Sequence, residues 1–404
     1  MIIMLRFEIK KIFLKPLNKI IIGVLLAVTV LGAVLAIKDV QYITNSGEQL
    51  TGISAGQHLR EDIEKWEGTL DDDLLKKVIQ KNDEINKKSS GDEAYRQKQG
   101  IDGIREMINV SFSGMNNYDY YVADNISENE VGNLYEKRIS GLKDWLNSED
   151  VKGTFTQEEE QYLIDKFEEL ETPFYYEYTE GWKALLDSPF LPTLLLIVVV
   201  GIGFLVSGIF SDEFRYKAES IFYSTKLGRN KAIMSKMGAG CLTITVVYWA
   251  SMILYSLIIL FALGFDGMDS TIQSGATNWF SMYNLTYLQA YLLVMIGGYI
   301  GCFFILMLSM FVSAVSRSTV FEITIPFIFA CIPMFLGRIS FFARIITLFP
   351  DMLLRINMEF KSFLLYSVGG HITSVYGILF TCYFILSLVF IPLIYQVYKK
   401  LEVK

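Results

Sequence analysis

Six long apolar runs constrain this chain more than any other feature of its sequence. Each is at least as long as the stretch of about 18 residues that an α-helix needs to cross the hydrocarbon core of a membrane. The runs are continuous and show no two-residue alternation, so they predict helices rather than the strands of a barrel. We therefore expect an all-α polytopic membrane protein with six transmembrane helices, at residues 20–37, 190–210, 239–263, 288–315, 320–337 and 375–397.

The charge distribution predicts how the chain is oriented in the membrane. Residues 38–187 contain 17 basic and 33 acidic residues, a net charge of −16, whereas the rest of the chain carries +9. That positive charge is concentrated near both termini and in residues 211–237, between the second and third apolar runs. Lys and Arg accumulate on the cytoplasmic side of membranes. We therefore expect these three regions in the cytoplasm and the acidic block outside. The acidic block lacks cysteine, as is typical of a bacterial surface protein, so we expect a bacterial plasma membrane.

The chain divides into four parts along its length. Residues 1–19 alternate apolar and basic positions at helical spacing, which predicts an amphipathic helix beneath the membrane that ends at Pro16. The run at 20–37 is longer than the apolar core of a signal peptide, so we expect an uncleaved anchor. Residues 38–187 carry several apolar stripes at helical spacing and predict an extracellular helical domain. Residues 188–404 contain the other five predicted spans.

Residues 338–374 lie between the last two apolar runs. Their apolar patches are interrupted by Arg344, Asp351, Arg355 and Glu359. A full span carrying such charges would cost about 2.5–3.5 kcal/mol for each charge near its centre. We therefore expect external helices that enter the outer leaflet only partway.

The sequence predicts no catalytic, metal-binding or phosphate-binding site. His58 and His371 have no partners at metal-ligand spacing, and the dipeptide Gly-Lys of the phosphate-binding P-loop never occurs. Within the predicted spans Glu322 is the one acidic or basic residue, so an ion-coupled carrier would have to depend on it. We expect a protein that is not an enzyme, binds no cofactor or nucleic acid, and takes its energy from elsewhere.

Residues 211–237 have the pattern of a docking segment. Acidic residues come first and basic residues later, which suits the dipole of a helix. Phe222 and Tyr223 fall near the predicted end of this helix, where they would be available to a pocket on a partner. A plain solvated loop would explain the charges, but not the aromatic pair in helical phase.

This segment resembles the cytoplasmic coupling segment of permeases of ABC transporters of the ABC-2 type. The resemblance lies in an acidic residue, a second acidic position, a Ser-Thr-x-x-x-Arg stretch and a lysine before the next span. These are Glu213, Glu219, residues 224–229 and Lys236. The six-span layout, the amphipathic start and the large insert after the first span are similar too. The chain departs from the pattern at Lys217, near which many relatives have glycine, and at Lys226, the usual position of a proline.

The resemblance implies an exporter that is driven by a separate subunit. Two permeases, identical or different, would sit in the lipid bilayer and bind two ATP-binding subunits, which hold ATP and Mg. Substrates of such exporters include lipids, drugs, peptides and polysaccharides. The implied ATPase-docking residues are Glu213, Glu219, Phe222, Tyr223, Arg229 and Lys236.

Two pairs of small residues predict close helix packing. They are Gly203 with Ser207 in the second span and Gly297 with Gly301 in the fourth. The contacts can be internal or between subunits. As an alternative function, the chain would be a non-transporting sensor or immunity protein that binds an external ligand through residues 38–187.

Overall fold

The protein is mostly helical, as the apolar runs predict. The structure, a computed structural model, describes residues 2–217, 228–316, 319–336 and 345–400. Its α-helices in chain order are α1 (Ile2–Leu14), α2 (Pro16–Lys38), α3 (Ile53–Ile63), α4 (Asp72–Lys88), α5 (Gly91–Lys98), α6 (Asp102–Ser113), α7 (Val122–Asn125), α8 (Leu134–Leu146), α9 (Gln157–Glu168), α10 (Glu180–Leu186), α11 (Phe190–Val206), α12 (Asp212–Arg215), α13 (Ile233–Leu263), α14 (Tyr287–Ser316), α15 (Thr319–Leu336) and α16 (Val375–Lys399). Tighter 3-10 turns cover Glu64–Trp66, Val131–Asn133, Ile272–Ser274, Ala276–Asn278, Pro350–Leu354 and Ile356–Glu359, and a π-helical turn covers Gly228–Ala232.

Several of these helices are built to cross a membrane. Among the described residues, α2, α13 with its preceding turn, α14 and α16 are long and apolar enough to do so. The helices α10 and α11 meet at a bend of 50° and make a fifth candidate if the pair is one span. The fifth apolar run corresponds to α15, which is flanked on both sides by residues outside the described ranges. The protein therefore has the helices of a membrane protein, and the number six stays a prediction.

The second span ends earlier than the sequence predicts. We expected a helix over 190–210, but α11 stops at Val206. The hydroxyl of Ser207 donates a hydrogen bond back to the Phe204 carbonyl oxygen at 2.7 Å. Gly208 then adopts a positive φ of 86°, which a residue with a β-carbon rarely does. The apolar residues after this point therefore belong to a turn at the end of the bundle.

The predicted N-terminal helix is present as α1, and Pro16 opens the next helix. Pro16 occupies the first turn of α2, where its missing N–H costs no hydrogen bond. The side-chain amide of Asn18 donates to the carbonyl oxygens of Ile12 at 2.8 Å and Leu205 at 3.1 Å. This buried amide therefore fixes the corner between α1 and α2 against the end of α11.

A polar domain, which we call the head, lies at the other end of the bundle. It consists of residues 39–187 together with the loop 264–286 and residues 360–374, because apolar side chains from all three form its cores. Trp279 of the loop is fully buried among the helices of the head. The predicted insert is therefore completed by two later parts of the chain. Which side of the membrane the head faces stays a prediction.

One buried arginine fastens the loop to the helices of the head. Arg138 on α8 is 2% exposed and donates to the carbonyl oxygens of Trp279 at 2.9 Å, Phe167 at 3.1 Å and Ser281 at 3.2 Å. Its guanidinium also lies over the Phe167 ring, 4.1 Å from the ring centre. Burial lowers the pKa of Arg138, and the three carbonyl oxygens compensate its charge.

A second polar node ties four helices of the head together. One carboxylate oxygen of Asp124 on α7 accepts hydrogen bonds from Asn82 and Asn86 of α4 at 2.9 Å, from Lys98 at 3.1 Å and from Arg105 at 3.2 Å. Burial would raise the pKa of this carboxyl, but the amide and lysine hydrogen bonds outweigh it. The pKa of Asp124 is therefore lowered to about 2.

The expectation of an all-α fold is wrong in detail, because six short strands form three antiparallel pairs in the part of the chain that the structure describes. In chain order these are β1 (Gln41–Ile43) with β2 (Gln49–Thr51), β3 (Gly68–Thr69) with β4 (Tyr175–Tyr176), and β5 (Leu365–Val368) with β6 (His371–Ser374). Strands of two to four residues are too short to show a two-residue hydrophobic period.

The expectation of helices over 338–374 is likewise met only in part. Residues 338–344 lie outside the described ranges. Residues 345–346 are helical, and they are followed by two 3-10 turns and then the β5–β6 hairpin. Pro350–Leu354 is buried and packs against the middle of α14 and also against α16. A short turn flanked by polar residues can lie beside the middle of a spanning helix because neighbouring helices cover its backbone.

Candidate functional site

The two ends of the predicted docking segment meet at the end of the bundle opposite the head. We call this end the base. The segment enters through α12 and leaves through the π-helical turn Gly228–Ala232 into α13. Glu219, Phe222 and Tyr223 lie outside the described residues. Arg229 falls within the π-helical turn, but its side chain is also outside the described part.

Glu213 and the last lysine of the segment, Lys236, form a buried ion pair. Lys236 is fully buried, and its ammonium group lies 2.6 Å from a carboxylate oxygen of Glu213. The same ammonium donates to the Ile209 carbonyl oxygen at 2.7 Å. The pair therefore holds the two ends of the segment together, since it joins the start of α12 to the first turn of α13.

The N-terminal helix adds further charges to this pair. Lys11 lies 3.3 Å from Glu213, Lys15 lies 2.8 Å from Asp212, and Glu8 lies 3.8 Å from Lys236. We call these six residues, three acidic and three basic, the basal cluster. Its charges sum to zero, and its side chains are half to fully buried. Because removing a charge from water costs free energy, each charge in such a place needs an opposite charge beside it.

The charged state of the cluster is stabilised by its own geometry. Burial alone would raise the pKa of the Glu213 carboxyl, but the ammonium groups of Lys236 and Lys11 outweigh burial and the pKa is lowered. Burial would likewise lower the pKa of Lys11, but the carboxylates of Glu213 and Glu8 raise it. Both groups are therefore charged near neutral pH.

The last span also contacts this site. The hydroxyl of Tyr398, at the end of α16, donates to the Phe210 carbonyl oxygen at 2.9 Å and lies 3.4 Å from Glu213. Its ring packs edge-on against Phe210 and Phe214. The basal cluster thus connects α1, α12, α13 and α16.

The residue that departs from the family pattern has an unusual backbone. Lys217 has a φ of 53°, the left-handed conformation that glycine adopts at least cost. It is the last described residue before the gap at 218–227. The glycine common near this position in the resembling family would fit the turn without strain.

The glycines of the fourth span make close contacts within the chain. A β-carbon added at Gly301 would lie 2.9 Å from the Leu353 β-carbon and 3.1 Å from the Pro350 carbonyl oxygen. A β-carbon at Gly297 would lie 2.8 Å from the Phe380 ring. The missing side chains at these two positions therefore allow the turn Pro350–Leu354 and α16 to pack closely against α14. The predicted packing contacts are internal to the chain.

The small residues of the second span are placed differently. Gly203 is buried within α11, whereas Ser207 lies just past its end, where it caps the helix. The closest approach on this helix is at Gly201, where an added β-carbon would lie 2.6 Å from the Leu25 side chain. The sequence pattern did not identify Gly201, because no second small residue lies four positions away from it. Its contact is with α2.

Sequence reasoning identified Glu213 and Lys236, but not their partners in α1 or at the end of α16. A lone acid, Glu8, in an otherwise basic helix was the available signal. Among the described residues, no group of three or more His, Cys, Asp or Glu is placed to hold a metal ion. Docking by Glu213 and Lys236 stays a prediction. The burial of both side chains indicates that they would act by positioning the segment rather than by touching a partner.

Comparisons of the chain with protein-family models, with curated proteins and with solved structures find no match.

Proposed function

We propose that this chain is the membrane-spanning permease subunit of an ATP-driven exporter of the ABC-2 type. The observation that carries the proposal is the basal cluster. It holds both ends of the docking segment together and ties them to α1, α13 and α16. A segment anchored in this way transmits force to the bundle, which an unanchored loop would not do.

The proposal divides the predicted docking residues into two groups. Glu213 and Lys236 position the segment from inside the base. Glu219, Phe222, Tyr223 and Arg229 are then the candidates for direct contact with the ATPase. Closure of the ATPase on ATP and Mg would move the segment, and the basal cluster would pass that movement to the spans. A second permease subunit, identical or different, would complete the export path.

The test is reconstitution with the ATP-binding-cassette ATPase encoded nearest to this gene. We expect the wild-type chain to copurify with that ATPase and to raise its rate of ATP hydrolysis in lipid vesicles. Phe222→Ala combined with Tyr223→Ala should reduce both by about tenfold, since buried aromatic anchors dominate binding at interfaces. Tyr216→Ala is the matched control, because Tyr216 is an exposed aromatic residue of the same segment that is not among the predicted docking residues.

Unchanged copurification and hydrolysis in the double variant would contradict the docking role of the segment. Failure of the wild-type chain to bind that ATPase would contradict the proposed function itself.

A cavity in the head favours the alternative of a ligand sensor. It has a volume of about 300 Å³ and lies between the end of α6 and α8, lined by Lys137, Asp144 and Trp145 among others. Deletion of residues 39–187 would expose Trp279, so a point substitution is the sharper test. Under this alternative Lys137→Glu abolishes function while Lys143→Glu, an exposed lysine on the same helix, does not. Under our proposal neither substitution affects ATP hydrolysis.

A further inference from the structure

A second cavity lies where the head meets the spanning helices. It has a volume of about 460 Å³, within the range of small-molecule sites. Its walls come from α9 and the loop 264–286 on the side of the head, and from α14 and α16 on the side of the bundle. Neither the basal cluster nor the docking segment contributes to it.

The cavity is polar at its rim and apolar at its floor. The rim carries Lys166 and Glu169, an ion pair at 2.5 Å whose side chains are 32% and 57% exposed. The floor is formed by Leu293 and Phe380. A site with both charges at one end and hydrocarbon at the other fits an amphiphile better than a wholly polar or wholly apolar ligand.

One of the lining residues has a buried hydroxyl without a hydrogen-bond partner among the described residues. Tyr376, at the start of α16, lines the cavity and is 2% exposed. Its hydroxyl makes no hydrogen bond to any described residue. A buried hydroxyl without a partner costs free energy, and a ligand with an acceptor oxygen at this level would remove that cost. A glycerolipid carries such acceptors, its ester oxygens, between the headgroup and the acyl chains.

The depth of the cavity matches the interfacial layer of a membrane. The 30 residues of α14 span about 45 Å, whereas the hydrocarbon core is about 30 Å thick. A centred helix therefore extends about 7 Å beyond the hydrocarbon at each end. Leu293 is the seventh residue of α14 and lies about 9 Å from its start, at the border of the hydrocarbon.

We propose that this cavity binds a zwitterionic glycerophospholipid, with its headgroup at the rim and its acyl chains leaving past the floor into the bilayer. Lys166 binds the phosphate and Glu169 binds the ammonium group, so the lipid replaces one ion pair with two. Tyr376 donates to an ester oxygen. The site does not depend on an ATPase, so its test can fail while the proposed function holds, and the reverse.

The test uses the full chain in nanodiscs that contain phosphatidylethanolamine, followed by gentle extraction and native mass spectrometry of the retained lipid. Leu293→Trp fills the cavity from within and should reduce the retained lipid by about tenfold. Leu292→Trp is the matched control, because the neighbouring leucine is 46% exposed on the same helix and does not line the cavity. It should retain lipid as the wild-type chain does. Tyr376→Phe should reduce retention about three- to tenfold, the usual net value of one hydrogen bond.

Two results would overturn the proposal. Equal retention by Leu293→Trp and Leu292→Trp would show that the retained lipid lies elsewhere on the bundle. Equal retention of phosphatidylglycerol, which lacks the ammonium group, would contradict the pairing of the headgroup with Glu169.

Discussion

Glu213→Gln should destabilise the protein far more than Lys236→Met, although the two residues form one ion pair. The glutamine variant removes the nearest described carboxylate from the fully buried ammonium of Lys236, which keeps the Ile209 carbonyl oxygen and Glu8 at 3.8 Å among its described contacts. Breaking a buried ion pair costs about 3–5 kcal/mol, and we take about 3 because Glu8 compensates in part. The methionine variant leaves Glu213 with Lys11 at 3.3 Å, so its expected cost is about 1–2 kcal/mol.

The double variant isolates the interaction between the two side chains. With both charges removed, no buried charge is left unpaired, and we expect a cost of about 1–2 kcal/mol in total. The coupling free energy between Glu213 and Lys236 is then about 2–4 kcal/mol. The exposed pair Lys143–Glu168, at 3.1 Å and about half exposed, is the matched control and should couple by less than about 1 kcal/mol.

The assay is unfolding in mixed micelles with increasing SDS, followed by tryptophan fluorescence. Equal effects of the two single substitutions, or effects that simply add in the double variant, would refute the assignment of Glu213 and Lys236 as a buried, mutually dependent pair.

Three other predictions concern single positions. Lys217→Gly should raise the free energy of unfolding by about 0.5–1 kcal/mol, because glycine adopts the left-handed backbone of this position without strain. Lys231→Gly, in a helical turn, is the control and should lower the free energy of unfolding by about 1 kcal/mol. Equal effects of the two substitutions in SDS titration would contradict this prediction. Asp124→Asn should destabilise the head by about 2–3 kcal/mol at pH 7. Because the folded-state pKa of Asp124 is depressed to about 2, its contribution to stability is present above pH 4 and is lost as the pH falls through 2. The thermal unfolding temperatures of the wild-type protein and the variant should therefore converge near pH 2. A difference that stays constant with pH would contradict this prediction. Gly301→Leu should lower the free energy of unfolding by about 1–3 kcal/mol, because the new side chain overpacks its contact with the turn Pro350–Leu354. Gly23→Leu is the control and should have no such effect, because an added side chain there meets open space. Equal thermal shifts of the two variants would count against the tight contact at Gly301.

The spanning helices were predictable because a long apolar run has few alternatives in a membrane. The structure places helices at all six predicted runs, with ends that differ by a few residues. The capping box at Thr156 and Glu159 was also predictable, since its signal is local, and it is confirmed at the start of α9. Features that depend on a few neighbouring residues can be read from a sequence in this way.

Contacts between distant parts of the chain could not be predicted. Glu213 and Lys236 stand out in the sequence, but Lys11 lies 202 residues before Glu213, and Tyr398 lies 185 residues after it. The residue pattern of α1 indicated a membrane surface, and its lone acid, Glu8, did not indicate which distant residue it would pair with. The same limit applies to Trp279, which completes the head from a loop between two spans.

The central claim is that the segment between α12 and α13 contacts an ATPase. A photoreactive phenylalanine analogue replacing Tyr223 tests it most directly, with the same analogue replacing Tyr120, an exposed tyrosine of the head, as the control. With the neighbouring ATPase coexpressed, we predict crosslinks from position 223 and none from position 120. Crosslinks from position 120 alone, or from neither position, would contradict the proposed docking and the orientation of the chain on which it depends.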